Sequence, residues 1–130
     1  MPPSRFVVWL NHAEAHVLQV HEQASSKTVI AQPEHPRLHR REGSVTGARA
    51  PEDREFLGAV TRALEGADAL VLSGPGLAKQ ELLKHLQRHA PVLAQRVVAV
   101  QTSQRVPDET LVRDARECFR THEGRARLGL

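Results

Sequence analysis

Three stretches of the chain hold residue types that could do chemistry. In Asn11-His12-Ala13-Glu14-Ala15-His16, two histidines and a carboxylate fall at alternate positions. On a straight strand alternate side chains share a face, so His12, Glu14 and His16 would form a two-histidine, one-carboxylate metal set. The same stretch reads as a turn, and a turn breaks that face. Its spacing also differs from the helical His-Glu-x-x-His of zinc proteases. Solvated turn residues are the better reading, and no metal ligand is assigned. The second stretch is Ser73-Gly74-Pro75-Gly76-Leu77-Ala78-Lys79. It lacks the glycine-lysine-Ser/Thr ending of a nucleotide-binding loop. Helix N–H groups with Lys79 would still suit one phosphate, and the competing reading is a plain strand-to-helix turn with a surface lysine. The third runs from Gln32 to Ala50, where Arg37, Arg40, Arg41 and Arg49 with His35 and His39 face only Glu34 and Glu42. Guanidinium groups stay charged at physiological pH and fork onto phosphate oxygens. A solvated connection is the alternative for this segment.

Other candidates carry less. His85 and His89 lie one helical turn apart, but two ligands without a third are ordinary surface residues. Cys118 is the single cysteine, so disulfide frameworks and cysteine-zinc sites are excluded; its place on an apolar helical face makes it a packing residue. No Ser, His and Asp arrangement can be assigned from spacing.

The elements that must position these residues follow from periodicity. Phe6–Leu10 and Lys27–Ala31 are β-rich runs, and His16–His21 lies between them after the Asn11–Glu14 turn, so the chain opens as a meander of three strands. Pro51 starts a helix whose apolar face is Phe56, Leu57, Val60, Ala63 and Leu64, with Glu52 and Asp53 in its first turn and Gly66 at its end. Ala69–Leu72 has no polar alternation, which suits a strand buried on both faces. Leu77, Leu82, Leu83 and Leu86 then mark a helix to about Ala90, where Pro91 breaks the pattern. Val97–Val100 is another buried strand. Pro107 opens a last helix with Leu111, Val112, Ala115, Cys118 and Phe119 on its face, and from His122 a frayed basic tail is expected.

The order βββαβαβα predicts an α/β domain over residues 1–121, a flexible tail at 122–130 and a long basic loop at 32–50. The strand-helix-strand unit from Ala69 to Val100 is right-handed and parallel. The simplest sheet is mixed, in the order 3-2-1-4-5 with helices on both faces, a ribonuclease H-like layout. Metal-dependent nucleases of that layout hold their ions with clustered carboxylates at strand ends. Here the first strand ends in Asn11 and the fourth in Ser73, with Glu14 the nearest acid.

Length and composition agree with one domain. The chain has 130 residues and 18 basic against 15 acidic side chains, a net charge of +3 that points only weakly to a polyanionic partner. No apolar run is long enough to span a bilayer, and Met1–Arg5 lacks the layout of a signal peptide. A cytoplasmic protein is the expectation. The few aromatic residues, Phe6, Trp9, Phe56 and Phe119, fall in expected strands or helices and are assigned to packing.

From Phe6 to about Ser103 the chain resembles the central domain of the eukaryotic and archaeal class-one peptide release factors and of Pelota, and small bacterial translational machinery proteins. The residues that carry this are Phe6-Val7-Val8-Trp9-Leu10 and its turn, the basic stretch after the third strand, Leu70-Val71-Leu72-Ser73-Gly74-Pro75-Gly76 with Lys79-Gln80-Glu81-Leu82, and Val97-Val98-Ala99-Val100. The resemblance implies work at or near the ribosome. Release factors carry Gly-Gly-Gln in the corresponding loop; this chain has Arg40-Arg41-Glu42-Gly43-Ser44-Val45-Thr46-Gly47-Ala48-Arg49 there, so no catalytic residue carries over. The expected function is non-catalytic binding of the ribosome or of tRNA or rRNA, in translation, ribosome rescue or stress, without a cofactor. Arg37, His39, Arg40, Arg41, Arg49, Ser73, Gly74, Gly76 and Lys79 are the expected phosphate contacts. The rival is a small hydrolase or nuclease using His12, Glu14 and the Gly74–Lys79 turn.

Overall fold

The computed structural model describes residues 4–21, 25–31 and 51–127. Residues 32–50, with the basic stretch, lie outside the described residues. Among the described residues five strands form one sheet in the order β3-β2-β1-β4-β5, the expected topology. β1 (Arg5–Leu10) is central, antiparallel to β2 (Glu14–Val20) with Val8 opposite Val17, and parallel to β4 (Ala69–Gly74) with Val8 opposite Leu72. β3 (Ser25–Ala31) pairs antiparallel with β2, and β5 (Val97–Thr102) parallel with β4. The first hairpin turns on Asn11. Its Oδ1 accepts the N–H groups of Ala13 at 2.8 Å and Glu14 at 2.9 Å, while its own N–H donates to the Glu14 carbonyl at 3.0 Å. A short amide that replaces backbone partners in this way makes the turn tight.

The uniform apolar runs of β1 and β4 are explained by burial on both sides. α1 (Pro51–Ala63), α2 (Ala78–His89) and α3 (Pro91–Gln95) cover one face. Phe6, Val8, Leu10, Leu70 and Leu72 meet Phe56, Val60, Leu64, Leu82 and Leu86 there. α4 (Asp108–Arg127) covers the other, where Val7, Trp9, Leu18 and Val71 meet Leu111, Val112, Ala115 and Phe119. Gly66 follows α1 with φ of 85°, a left-handed conformation that suits a residue without Cβ.

Several boundaries differ from expectation. β2 begins at Glu14, inside the expected turn, and ends at Val20, and β3 begins at Ser25. Pro91 breaks α2 but also opens α3. Ala90 leaves helical geometry at φ −147° and ψ 64°, and proline then occupies the first turn of a new short helix, where its missing N–H costs nothing. β4 runs on through Ser73 and Gly74, and α2 starts at Ala78. α4 continues to Arg127, into the stretch expected to form a tail.

At the start of α4, Asp108 accepts a 2.7 Å hydrogen bond from Lys27 Nζ of β3. That bond holds the Asp108 carboxyl below its ordinary value of 3.8; partial burial opposes the shift, and the charges of Lys27 and Arg105 reinforce it. A carboxyl lowered on folding contributes stability above its unfolded pKa and loses it as pH falls through the folded value. Asp108→Asn is therefore expected to cost about 0.5 kcal/mol at neutral pH, since both partners are half-exposed. Urea unfolding of parent and variant should give converging stabilities in strong acid.

Candidate functional site

The strand-to-helix turn sits where β1 and β4 end side by side. Gly74 brings them together. A Cβ on it would stand 2.1 Å from the Leu10 carbonyl oxygen, so no other residue fits without moving β1. The Gly74 carbonyl also accepts the Ser103 N–H at 3.0 Å, which fastens the segment after β5 to the same turn. Gly76 is different: nothing lies within 4 Å of the position its Cβ would take.

α2 then begins with Leu77 at its N-cap, without a side-chain cap, and Leu77 is exposed. Glu81 in the first turn complements the positive end of the helix, and it stands 3.3 Å from His12 Nε2 of the first hairpin. Lys79 is not the surface lysine of the competing reading. It is only 3% exposed, and its ammonium donates to the Gly76 carbonyl at 2.5 Å. A buried lysine whose ammonium is held by a turn carbonyl braces the turn from within.

Ser73 lies apart from the turn. Its side chain is on the α4 side of the sheet, in register with Trp9 and Gln101, and its Oγ is buried without a hydrogen-bond partner. His16 lies on the other side of Trp9. Two strand spacings, roughly 10 Å, therefore separate their backbones, and Ser73 Oγ makes no hydrogen bond to the imidazole that could serve as its base. Of the histidines and acid at the first hairpin, Glu14 Oε1 approaches His16 Nε2 at 3.3 Å, while His12 turns to Glu81. Among the described residues no three His, Cys, Asp or Glu side chains gather as a metal site.

A polar cluster on the α4 side was not foreseen. Trp9 Nε1 donates to the Ser103 carbonyl at 3.2 Å, the Arg105 guanidinium lies 5.3 Å from the Trp9 ring centroid, and His16 meets the same ring edge-on at 6.0 Å. Arg105 also reaches Asp108 at 3.5 Å. Together these contacts clamp the segment between β5 and α4 over the end of β1. Alternation along β1 and β2 could have placed Trp9 and His16 on one face; nothing in the sequence announced Arg105. Cys118, expected to be buried, is half-buried, and its Sγ accepts the Gln101 Nε2–H at 3.1 Å.

No protein-family model matches the chain. A pelota homolog from Natronomonas pharaonis is 41% identical over 49 residues, which make up 38% of this chain and 14% of that relative. Among solved structures, Archaeoglobus fulgidus Pelota agrees at a TM-score of 0.62 with 18% identity, covering 87% of this chain and 30% of that one. Dom34 of S. cerevisiae, a translation termination-like factor involved in RNA quality control pathways and interacting with Hbs1, agrees at 0.55 with 13% identity, over 85% of this chain and 35% of its own. This chain thus spans well under half the length of these relatives. What it shares with Pelota and Dom34 is the fold, reinforced by one short stretch of sequence.

Proposed function

We propose that this domain is a binding module of translation, one that engages the ribosome or its RNA and carries out no chemistry of its own. The observation that supports this most is the agreement with Pelota over 87% of the chain. The 49-residue match to a pelota homolog points the same way, as does the separation of Ser73 from His16 by the Trp9 strand. The phosphate contacts we assign to the basic loop, with Arg37, Arg40, Arg41 and Arg49 as the charges and His39 beside them. The Gly74–Gly76 turn then has a structural role, with Lys79 holding it from within. Sedimentation of cell lysate through sucrose tests the reading. The protein is expected to travel with ribosomal particles at low salt and to leave them as salt rises. A protein that stays at the top of the gradient at every salt concentration rules the proposal out.

A further inference from the structure

The charges of α2 are unevenly placed. Its buried side is Ala78, Lys79, Leu82 and Leu86. Gln80, Lys84, Gln87 and Arg88 are all exposed, and their i, i+4, i+7, i+8 spacing makes them one stripe on the outer side. The stripe holds two cations, two amides and no acid. Glu81, the one carboxylate of the helix, stands 3.3 Å from His12 Nε2 of the first hairpin. α3, which follows, has no charged residue. The cations of α4 are placed differently: Arg113 meets Asp114 at 3.7 Å, and Arg120 meets Glu117. Among the described residues no carboxylate meets Lys84 or Arg88.

Helix stability does not account for the stripe. Arg88, in the last turn, complements the negative end of α2, but Lys84 lies before that turn. What the two share is geometry. One turn separates them, about 6 Å along the axis, close to the distance between neighbouring phosphates on an A-form strand. The helix fixes that spacing, because Leu82 and Leu86 anchor it with no exposed surface. The amides beside the cations both donate to and accept from hydroxyl groups. Bases find little here. Phe6, Trp9, Phe56 and Phe119, all the phenyl and indole rings of the chain, are buried. His89, at the end of α2, already packs on His85 with ring centroids 4.6 Å apart. Single strands are held by stacking on aromatic rings as well as by charge, whereas a duplex is held through its backbone and shape.

We propose that the stripe from Gln80 to Arg88 is a site for double-helical RNA, with Lys84 and Arg88 on successive phosphates and Gln80 and Gln87 on the neighbouring ribose hydroxyls. The inference rests on the reading of the domain as RNA-engaging, and it adds a second surface and the form of RNA that surface takes. The stripe lies on the side of the sheet that also carries α1, the element into which the basic stretch leads. A folded RNA offers a duplex and an adjoining single strand to that side together.

The test is fluorescence anisotropy with a blunt RNA duplex of about 16 base pairs, and with one of its strands alone, over a salt series. The parent is expected to bind the duplex. Lys84→Ala combined with Arg88→Ala should weaken duplex binding at least about tenfold at low salt and make the salt slope shallower by about 2, one for each phosphate. Its binding to the single strand should match the parent's. Arg113→Ala combined with Arg120→Ala, which removes the same charge from α4, should leave duplex binding unchanged. In a chain already lacking Arg37, Arg40, Arg41 and Arg49, the α2 pair of substitutions should cost the duplex the same factor, so the loop assignment and this one fail separately. Thermal unfolding confirms that each variant is folded. A parent that does not bind the duplex, an α2 variant that binds it like the parent, an equal loss on the single strand, or an equal loss from the α4 pair each overturns the proposal.

Discussion

Replacing Gly74 by alanine is expected to destabilise the domain by about 3 kcal/mol, lowering Tm by roughly 10 °C. The added methyl would lie 2.1 Å from the Leu10 carbonyl oxygen, which belongs to the central strand rather than to a flexible side chain. Relief requires β1 and β4 to separate at their ends, and the Ser103 N–H bond to the Gly74 carbonyl would go with them. Gly76→Ala, two residues on, meets open space and has no left-handed backbone to strain. It should be neutral or stabilise by up to about 1 kcal/mol, through the entropy of the unfolded chain. Chemical denaturation of the two variants side by side checks the contrast. Equal effects would mean that the turn tolerates separation of the strands.

The second large effect is on binding. With Arg37, Arg40, Arg41 and Arg49 each neutralising one phosphate of single-stranded RNA, log affinity should fall against log salt with a slope of roughly −3. That is a loss of roughly 50-fold between 50 and 200 mM salt. The quadruple alanine variant should bind at least about tenfold more weakly at low salt, and its slope should flatten towards zero. On this proposal the four arginines serve binding rather than folding, so the variant's Tm should match the parent's. The measurement is RNA or ribosome binding of both proteins over a salt series. A variant that matches the parent at every salt concentration would reduce the basic stretch to a connection. Lys79→Met is the companion. Its ammonium is bound to the Gly76 carbonyl and buried, so the salt slope should not change.

Much of the fold was legible because burial leaves a strong imprint. β1 and β4 lie under helices on both faces, and their unbroken apolar runs say so. The face of α1 emerged from the 3.6-residue spacing of Phe56, Leu57, Val60 and Leu64. What stayed hidden depends on contacts between residues far apart in sequence. Pro91 reads equally as a stop and as a start, and only the backbone at Ala90 tells them apart. Lys79 reads as solvent-facing by type, yet the turn takes it in. Ser73 belonged by position to the glycine turn, but the pleat points its hydroxyl to the opposite side from α2. The Arg105–Trp9 stack joins residues 105 and 9 through the end of the sheet, and no local pattern encodes it.

The place of β1 in the middle of the sheet has a consequence for synthesis. Its first neighbour, β2, follows at once, but its second, β4, begins only at Ala69. As the chain is made, Phe6-Val7-Val8-Trp9-Leu10 therefore has one edge filled and the other bare until the segment from Ala69 to Gly74 has been added. At roughly 5–20 residues per second, that interval lasts several seconds. A newly made meander of this kind offers an unpaired apolar strand to any other nascent chain nearby. Pairing of β4 with β1 thus closes the sheet's centre and ends the exposure of the second edge of β1, before β5 is added on the far side of β4.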